Sequence, residues 1–192
     1  MDVTAVILTP APEARTPRTP GMERVVRVVN TSDMAELLQE RLAAAAAVKT
    51  AWWFYLDADD DLPLSAPSVI AQGIELADSH GVDIAYTDEM IRMPGGYRVR
   101  APGPYDRQRH LRAPMMLHHL LLARTAASIA AMRRLPRGRY WTEMLLFCEM
   151  AARGAAYVPR VGYIWNKGNG LHTRPATTIS QMRSALWHQG KL

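Results

Sequence analysis

The sequence predicts an α/β fold, a single domain built on a mostly parallel central sheet with helices packed against it. Three observations predict it. Short β-branched or aromatic runs alternate with helical stretches along most of the chain. Cap, proline and glycine signals separate these runs. With 192 residues, 48% of them hydrophobic, the chain is long and apolar enough to bury one core.

Val3 to Leu8 is a β-branched run ending at Thr9-Pro10 and reads as a central strand. Pro10, Pro12, Pro17 and Pro20 make the next stretch a loop. Arg24 to Val29 is a second strand, ending at Asn30. Asp33 and Glu36 have capping-box spacing and open a helix to about Val48. Met34, Leu37, Leu38 and Leu42 share one of its faces, and the run Ala43 to Ala47 reads as a close-packed helix surface. Trp52 to Leu56 is a buried aromatic strand that stops in Asp57-Ala58-Asp59-Asp60-Asp61.

A helix follows from Ser65 to His80. Pro67 sits in its first turn, where a missing N–H costs nothing, and Gly81 is placed to cap it. Asp83 to Thr87 is a strand ending in Asp88-Glu89, and Pro94-Gly95-Gly96 turns the chain into a strand over Tyr97 to Arg100. Ala101 to Pro114 reads as loop. A short strand around Leu120 to Ala123 precedes a helix to Met132, and Arg133 to Arg139 is a basic loop. Thr142 to Arg153 is a helix ending at Gly154, and two short β-like pieces lie between Tyr157 and Trp165. From Asn166 the chain is polar until a last helix over about Ile179 to Trp187.

Composition narrows the function. The net charge of +5, from 23 basic and 18 acidic residues, suits an anionic ligand but is not the dense basic stripe of a dedicated nucleic-acid binder. The single Cys148 excludes an intramolecular disulfide and a cysteine-based zinc site, and its apolar helical setting reads as a buried small hydrophobe. No apolar run reaches membrane-spanning length and no signal-peptide pattern opens the chain, so a cytoplasmic protein is expected.

The acidic run carries the chemistry. It falls at the C-terminal end of a strand, where ligand crevices open in α/β sheets. Four carboxylates within five positions repel one another unless solvent or a cation intervenes. Hard divalent cations are held by one or two carboxylates plus substrate phosphates. The stretch therefore fits a metal–diphosphate site, set against a solvated acidic turn.

With these residues in place, the chain resembles glycosyltransferase family 2, the nucleotide-sugar transferases with the GT-A fold. Four features carry the resemblance in order: the first strand ending in Thr9-Pro10; Arg41 sixteen residues before Asp57; the "DxD"-like Asp57-Ala58-Asp59-Asp60; and Thr142-Glu143 with Leu146 and Gly154 after it. Tyr86-Thr87-Asp88-Glu89, with Gly96 beyond, is similar to members carrying a Tyr-x-Asp-Glu turn. The Pro-rich loop after Thr9 stands in place of the family's first helix, Glu149 stands where the family often has Arg, and two further features depart. Asn30-Thr31-Ser32-Asp33 stands where Asp-Asp-Gly-Ser is usual, and Thr142-Glu143 replaces a Glu-Asp pair.

The resemblance implies a metal-dependent transfer of a sugar from a nucleoside-diphosphate sugar, UDP-linked by expectation, to an acceptor hydroxyl, inverting if Glu143 is the base. It places Thr9, Pro10, Asn30, Arg41, Asp57 and Asp59 on the nucleotide sugar. Asp59, Asp60 and His172 fall on a manganese or magnesium ion, and Asp61 reads as a solvated bystander. It divides the domain into a nucleotide-sugar half, 1–100, and an acceptor half, 101–192, whose segment 166–176 forms a lid.

Among the other histidines, His118 and His119 read first as hydrogen-bonded core residues and second as facing the acceptor pocket, while His80, His110 and His188 have no special context. The acceptor stays open between glycan, protein and modified nucleic acid, and self-association is also left open. Two other readings compete. One is a nucleotide-sugar-binding module without activity. The other is a nucleic-acid-associated protein using the Arg-rich segments 98–112 and 133–139.

Overall fold

Every residue of Val3–Thr9 (β1) is buried, which is why this strand reads as an unbroken apolar run: both faces are covered. The structure is a computed structural model and describes residues 1–9, 16–29, 34–112, 117–135 and 142–166. Within these it describes the backbone alone at 34–35, 37–38, 111–112 and 142–145. Pro10, Asn30, Asp33, His172, the expected lid beyond Asn166 and the last expected helix lie outside the described residues.

Alternate side chains of β1 and of Trp52–Asp57 (β3) enter two different cores, as the two-residue period of a strand requires. Val6, Leu8, Trp53 and Tyr55 face one layer of helices, Met34–Ala46 (α1), Thr125–Met132 (α4) and Thr142–Met150 (α5). Val3, Ala5, Ile7, Trp52, Phe54 and Leu56 face the other side, where Ala66–His80 (α2) packs. The alanine run does lie against the core, with Ala44 and Ala45 fully buried. Pro67 sits at the start of α2, and Gly81 caps its end at φ 63°, a left-handed conformation that glycine adopts without strain. Cys148 is buried in α5, and burial pushes its thiol up to about 12.

The remaining strands are Glu23–Val28 (β2), Ile84–Met93 (β4), Gly96–Arg100 (β5), Leu121–Arg124 (β6) and Ala156–Asn166 (β7). The sheet order is β2-β1-β3-β6-β4-β5, with β7 also paired to β4. Strands β1, β2, β3, β4 and β7 run one way; β6 and β5 run against them. The sheet is thus mixed, because β6 inserts antiparallel between β3 and β4.

Three expectations change. The loop expected over Ala101 to Pro114 contains a short helix, Arg107–Arg112 (α3), anchored by an Arg109 N–H donating to Asp106 Oδ1 at 3.0 Å. The two β-like pieces near the end are one strand, β7, whose pairing with β4 shifts register between Thr87 and Glu89. The Tyr86-Thr87-Asp88-Glu89 stretch is therefore no turn: β4 runs through it with a bulge-like irregularity, a device that re-aims side chains. Gly162 permits the close approach there. A Cβ at that position would sit 2.6 Å from Thr87 Oγ1.

Candidate active site

The acidic turn begins where β3 ends. Asp57 pairs in register with Leu8 of β1, so Thr9, buried at the end of that strand, lies at the same edge. Arg41 reaches over from α1 and its Nη2 donates to Asp57 Oδ1. Arg41 is held twice more, once by its side chain and once by its backbone. Its guanidinium stands 5.3 Å from the Tyr55 ring centre, and the Tyr55 hydroxyl donates to the Arg41 carbonyl at 2.8 Å. The sixteen-residue spacing thus brings a cation onto the first acid of the motif.

The rest of the turn is fastened to β7. The backbones of Asp61 and Ile164 exchange two hydrogen bonds, at 3.0 and 2.9 Å. Asp61 also forms an ion pair with Arg92 at 3.4 Å, so it is an anchor of the turn and not the solvated bystander expected. Asp60 is drawn inward and is 3% exposed. It accepts from the Tyr163 hydroxyl at 2.7 Å and from the Asn166 N–H at 2.7 Å. Burial first, and then the charge of nearby Asp57, pushes the Asp60 carboxyl up to about 7 against those two donors. Asp59 points outward at the tip of the turn, its own carboxyl raised by partial burial and by Asp57.

A second group closes on the turn from β4 and from the segment before β6. Glu89, 1% exposed, accepts from Nδ1 of His118 at 3.0 Å and of His119 at 3.1 Å, and pairs with Arg100 at 3.2 Å. Burial disfavours the Glu89 charge, yet the two imidazole donors hold its carboxyl well below the usual carboxylate range. Burial and the neighbouring His119 push His118 down to about 4, so it is neutral near pH 7. The ring of His119 stacks on Tyr163, with centroids 4.3 Å apart and planes 14° off parallel.

A cavity of about 20 Å³ lies between these groups, lined by Arg41, Tyr55, Asp57, His118, His119 and Tyr163 among others. It has room for one water-sized guest. Ligand atoms of Asp57, Asp60 and His119 all lie within 4.8 Å of one another, as do those of Glu89, His118 and His119. The first set fits a divalent cation. It supplies two carboxylates and a nitrogen, and a cation there offsets the repulsion between Asp57 and Asp60. A larger groove of about 540 Å³ opens beside Met1, Trp52 and Ile74. It lies at the opposite, N-terminal ends of β1 and β3, away from the carboxyl edge where such sheets bind ligands.

The structure thus brings together Thr9, Arg41, Asp57 and Asp60 of the residues singled out in the sequence. Asp59 lies beside them but outside either ligand cluster. Glu143 falls in the first turn of α5, where only its backbone is described. It lies four residues before Phe147, which lines the small cavity. Sequence reasoning missed Tyr163 and Asn166 as holders of Asp60, and it placed His118 and His119 in the core without their partner Glu89. No local signal marks these contacts, because Tyr163 and Asp60 are 103 residues apart.

No family model and no curated protein matches the sequence. Solved structures do match. S. aureus TarS in complex with UDP superposes with a TM-score of 0.66 at 14% identity, covering 98% of this chain and 65% of that one. This chain therefore spans just under two thirds of that length. Glucosyl-3-phosphoglycerate synthase from Mycobacterium tuberculosis, with Mg2+ and UDP, superposes at 0.54 and 14% identity over 98% of this chain and 79% of that one. The same synthase with Mn2+, UDP and phosphoglyceric acid gives 0.53 at 15% identity over 98% and 78%. The strand order, the helical layers and these superpositions agree: the protein shares the fold of these structures, the GT-A fold expected from the sequence.

Proposed function

We propose that the protein is a nucleotide-sugar-dependent glycosyltransferase of the family 2 type. The observation that carries this reading is the acidic turn at the end of β3, gathered with Arg41 and His119 at the carboxyl edge of a GT-A sheet. The fold neighbours described above hold UDP, and the synthase holds Mg2+ or Mn2+ with it. In this reading Asp57 and Asp60 hold a divalent cation, Asp59 and His172 remain the further ligands expected from the sequence, and Thr9, Pro10, Asn30 and Arg41 face the nucleotide. The cation supplies positive charge for the leaving diphosphate.

Glu143 is the proposed base. As the acceptor oxygen bonds to the anomeric carbon, its proton passes to the Glu143 carboxylate. The bond from that carbon to the diphosphate oxygen breaks, and the electron pair leaves with the diphosphate. A single displacement of this kind inverts the anomeric centre. Residues 1–100 would bind the donor and residues 101–192 the acceptor, with 166–176 closing over the diphosphate.

Calorimetry with UDP tests the reading. It predicts binding that is tighter with manganese than without, and weaker in Asp60→Asn. Equal affinity with and without metal would remove the cation from the account, and no UDP binding at all would remove the nucleotide.

A further inference from the structure

Glu89, His118 and His119 take no part in the transfer chemistry just described, yet they press against the acid site. Two clusters could in principle hold a cation here, and they share His119. The partners of Glu89 decide between them. One oxygen, Oε2, takes the Nδ1 of both rings; the other, Oε1, faces the Arg100 guanidinium at 3.2 Å. A cation on Glu89 would have to displace two donors and sit beside a fixed positive charge. Glu89 is therefore not a ligand.

Its effect on the rings is definite. An ionised carboxylate can only accept hydrogen bonds, so His118 and His119 both carry their proton on Nδ1. The lone pair of His119 is then on Nε2. The ring cannot swing freely either: it is stacked on Tyr163, whose hydroxyl holds Asp60. A nitrogen of His119 lies within 4.8 Å of the Asp57 and Asp60 oxygens. With Nδ1 committed to Glu89, Nε2 is the nitrogen able to ligate.

We propose that Nε2 of His119 is a ligand to the divalent cation held by Asp57 and Asp60, and that Glu89 is the positioning residue that keeps His119 in the ligating tautomer. The proposal rests on the reading that a divalent cation occupies this site. A carboxylate behind a metal-bound imidazole is a recurring arrangement that fixes ring orientation and raises ligand basicity. An imidazole beside two carboxylates also sets a preference. Magnesium keeps to oxygen ligands, whereas manganese and other first-row ions accept nitrogen, so the site should favour manganese.

The test uses the full chain with Mn2+ alone, followed by electron paramagnetic resonance without nucleotide. The wild type should bind Mn2+ with 14N modulation from an imidazole in its spin echo, and should bind Mg2+ more weakly. His119→Ala should lose that modulation and much of the preference for manganese. Glu89→Gln offers an amide N–H to Nδ1 and so moves the ring proton to Nε2. It should weaken Mn2+ binding about 10- to 100-fold, the usual effect of removing such a partner. A wild-type Mn2+ signal without nitrogen modulation would overturn the proposal without any variant, as would modulation that persists in folded His119→Ala. Absence of Mn2+ binding would overturn it too. UDP titrated in parallel keeps the two readings distinguishable, since UDP binding that survives any of these failures leaves the nucleotide-sugar reading standing.

Discussion

Arg41 and Asp57 form an ion pair that ties α1 to the end of β3, with side chains 15% and 33% exposed. The pair compensates the first charge of the acidic turn before any ligand arrives. Arg41→Ala leaves Asp57 uncompensated beside Asp60. A charge-assisted bond of this kind, partly exposed, is worth about 2 kcal/mol, or roughly 4–8 °C in the Tm of a chain this size. Thermal unfolding of the metal-free variant should show that loss. A Tm within about 1 °C of wild type would mean the pair contributes nothing, as many surface pairs do.

Tyr163 is the hinge of the site. Its hydroxyl donates to Asp60 and accepts from the Asp57 N–H at 3.2 Å, and it is fully buried. Tyr163→Phe keeps the ring under His119 but strips Asp60 of a donor. Leaving a buried polar group short of a hydrogen-bond partner costs about 1–3 kcal/mol. Denaturant unfolding should show the midpoint fall with no change in slope. Tyr163→Leu, which also removes the stacking surface, should cost more. Equal losses in the two variants would assign the whole effect to the hydroxyl and none to the ring stack.

Asp60 also gives the protein a pH signature. Its carboxyl is pushed up to about 7, chiefly by burial, from an ordinary value of 3.8. Between those values the folded chain holds a proton that the unfolded chain releases. The group's contribution to stability is therefore present below about pH 4 and lost as pH rises through about 7. Asp60→Asn removes this titration. In chelator, the Tm of the variant relative to wild type should climb between pH 4 and pH 8. A difference that stays constant across that window would contradict the assignment.

Much of this was legible in the sequence because it is local. The aromatic run of β3 and the acids after it are adjacent, so strand and turn could be read together, and Pro67 and Gly81 mark the ends of α2 by their own backbone chemistry. The approach of Arg41 to Asp57 followed from family spacing. What could not be read is what β7 brings. Tyr163, Ile164 and Asn166 meet the acidic turn across more than 100 residues, through a parallel pairing with β4 whose register shifts midway. Glu89 read as the end of a strand, because nothing local shows that β4 runs on to Met93. The helix α3 was hidden in a stretch whose prolines and glycine favour loop.

Glu143 can be tested by kinetics once an acceptor is found. Glu143→Gln keeps size and hydrogen bonding but cannot take a proton. Turnover should fall about 100-fold or more, the scale of lost general-base catalysis, while the KM for donor stays nearly constant. Near-normal turnover would reassign Glu143 to the first-turn helix dipole.

The most direct measurement needs no acceptor. Purified protein is incubated with a panel of nucleotide sugars and manganese, and released nucleoside diphosphate is followed over time. The account predicts slow, manganese-dependent release from at least one UDP-sugar, with water replacing the acceptor, and loss of that release in Asp57→Asn and Asp60→Asn. A UDP-sugar that binds and stays intact however long it is held would contradict it, and would make the protein a nucleotide-sugar-binding module instead of a transferase.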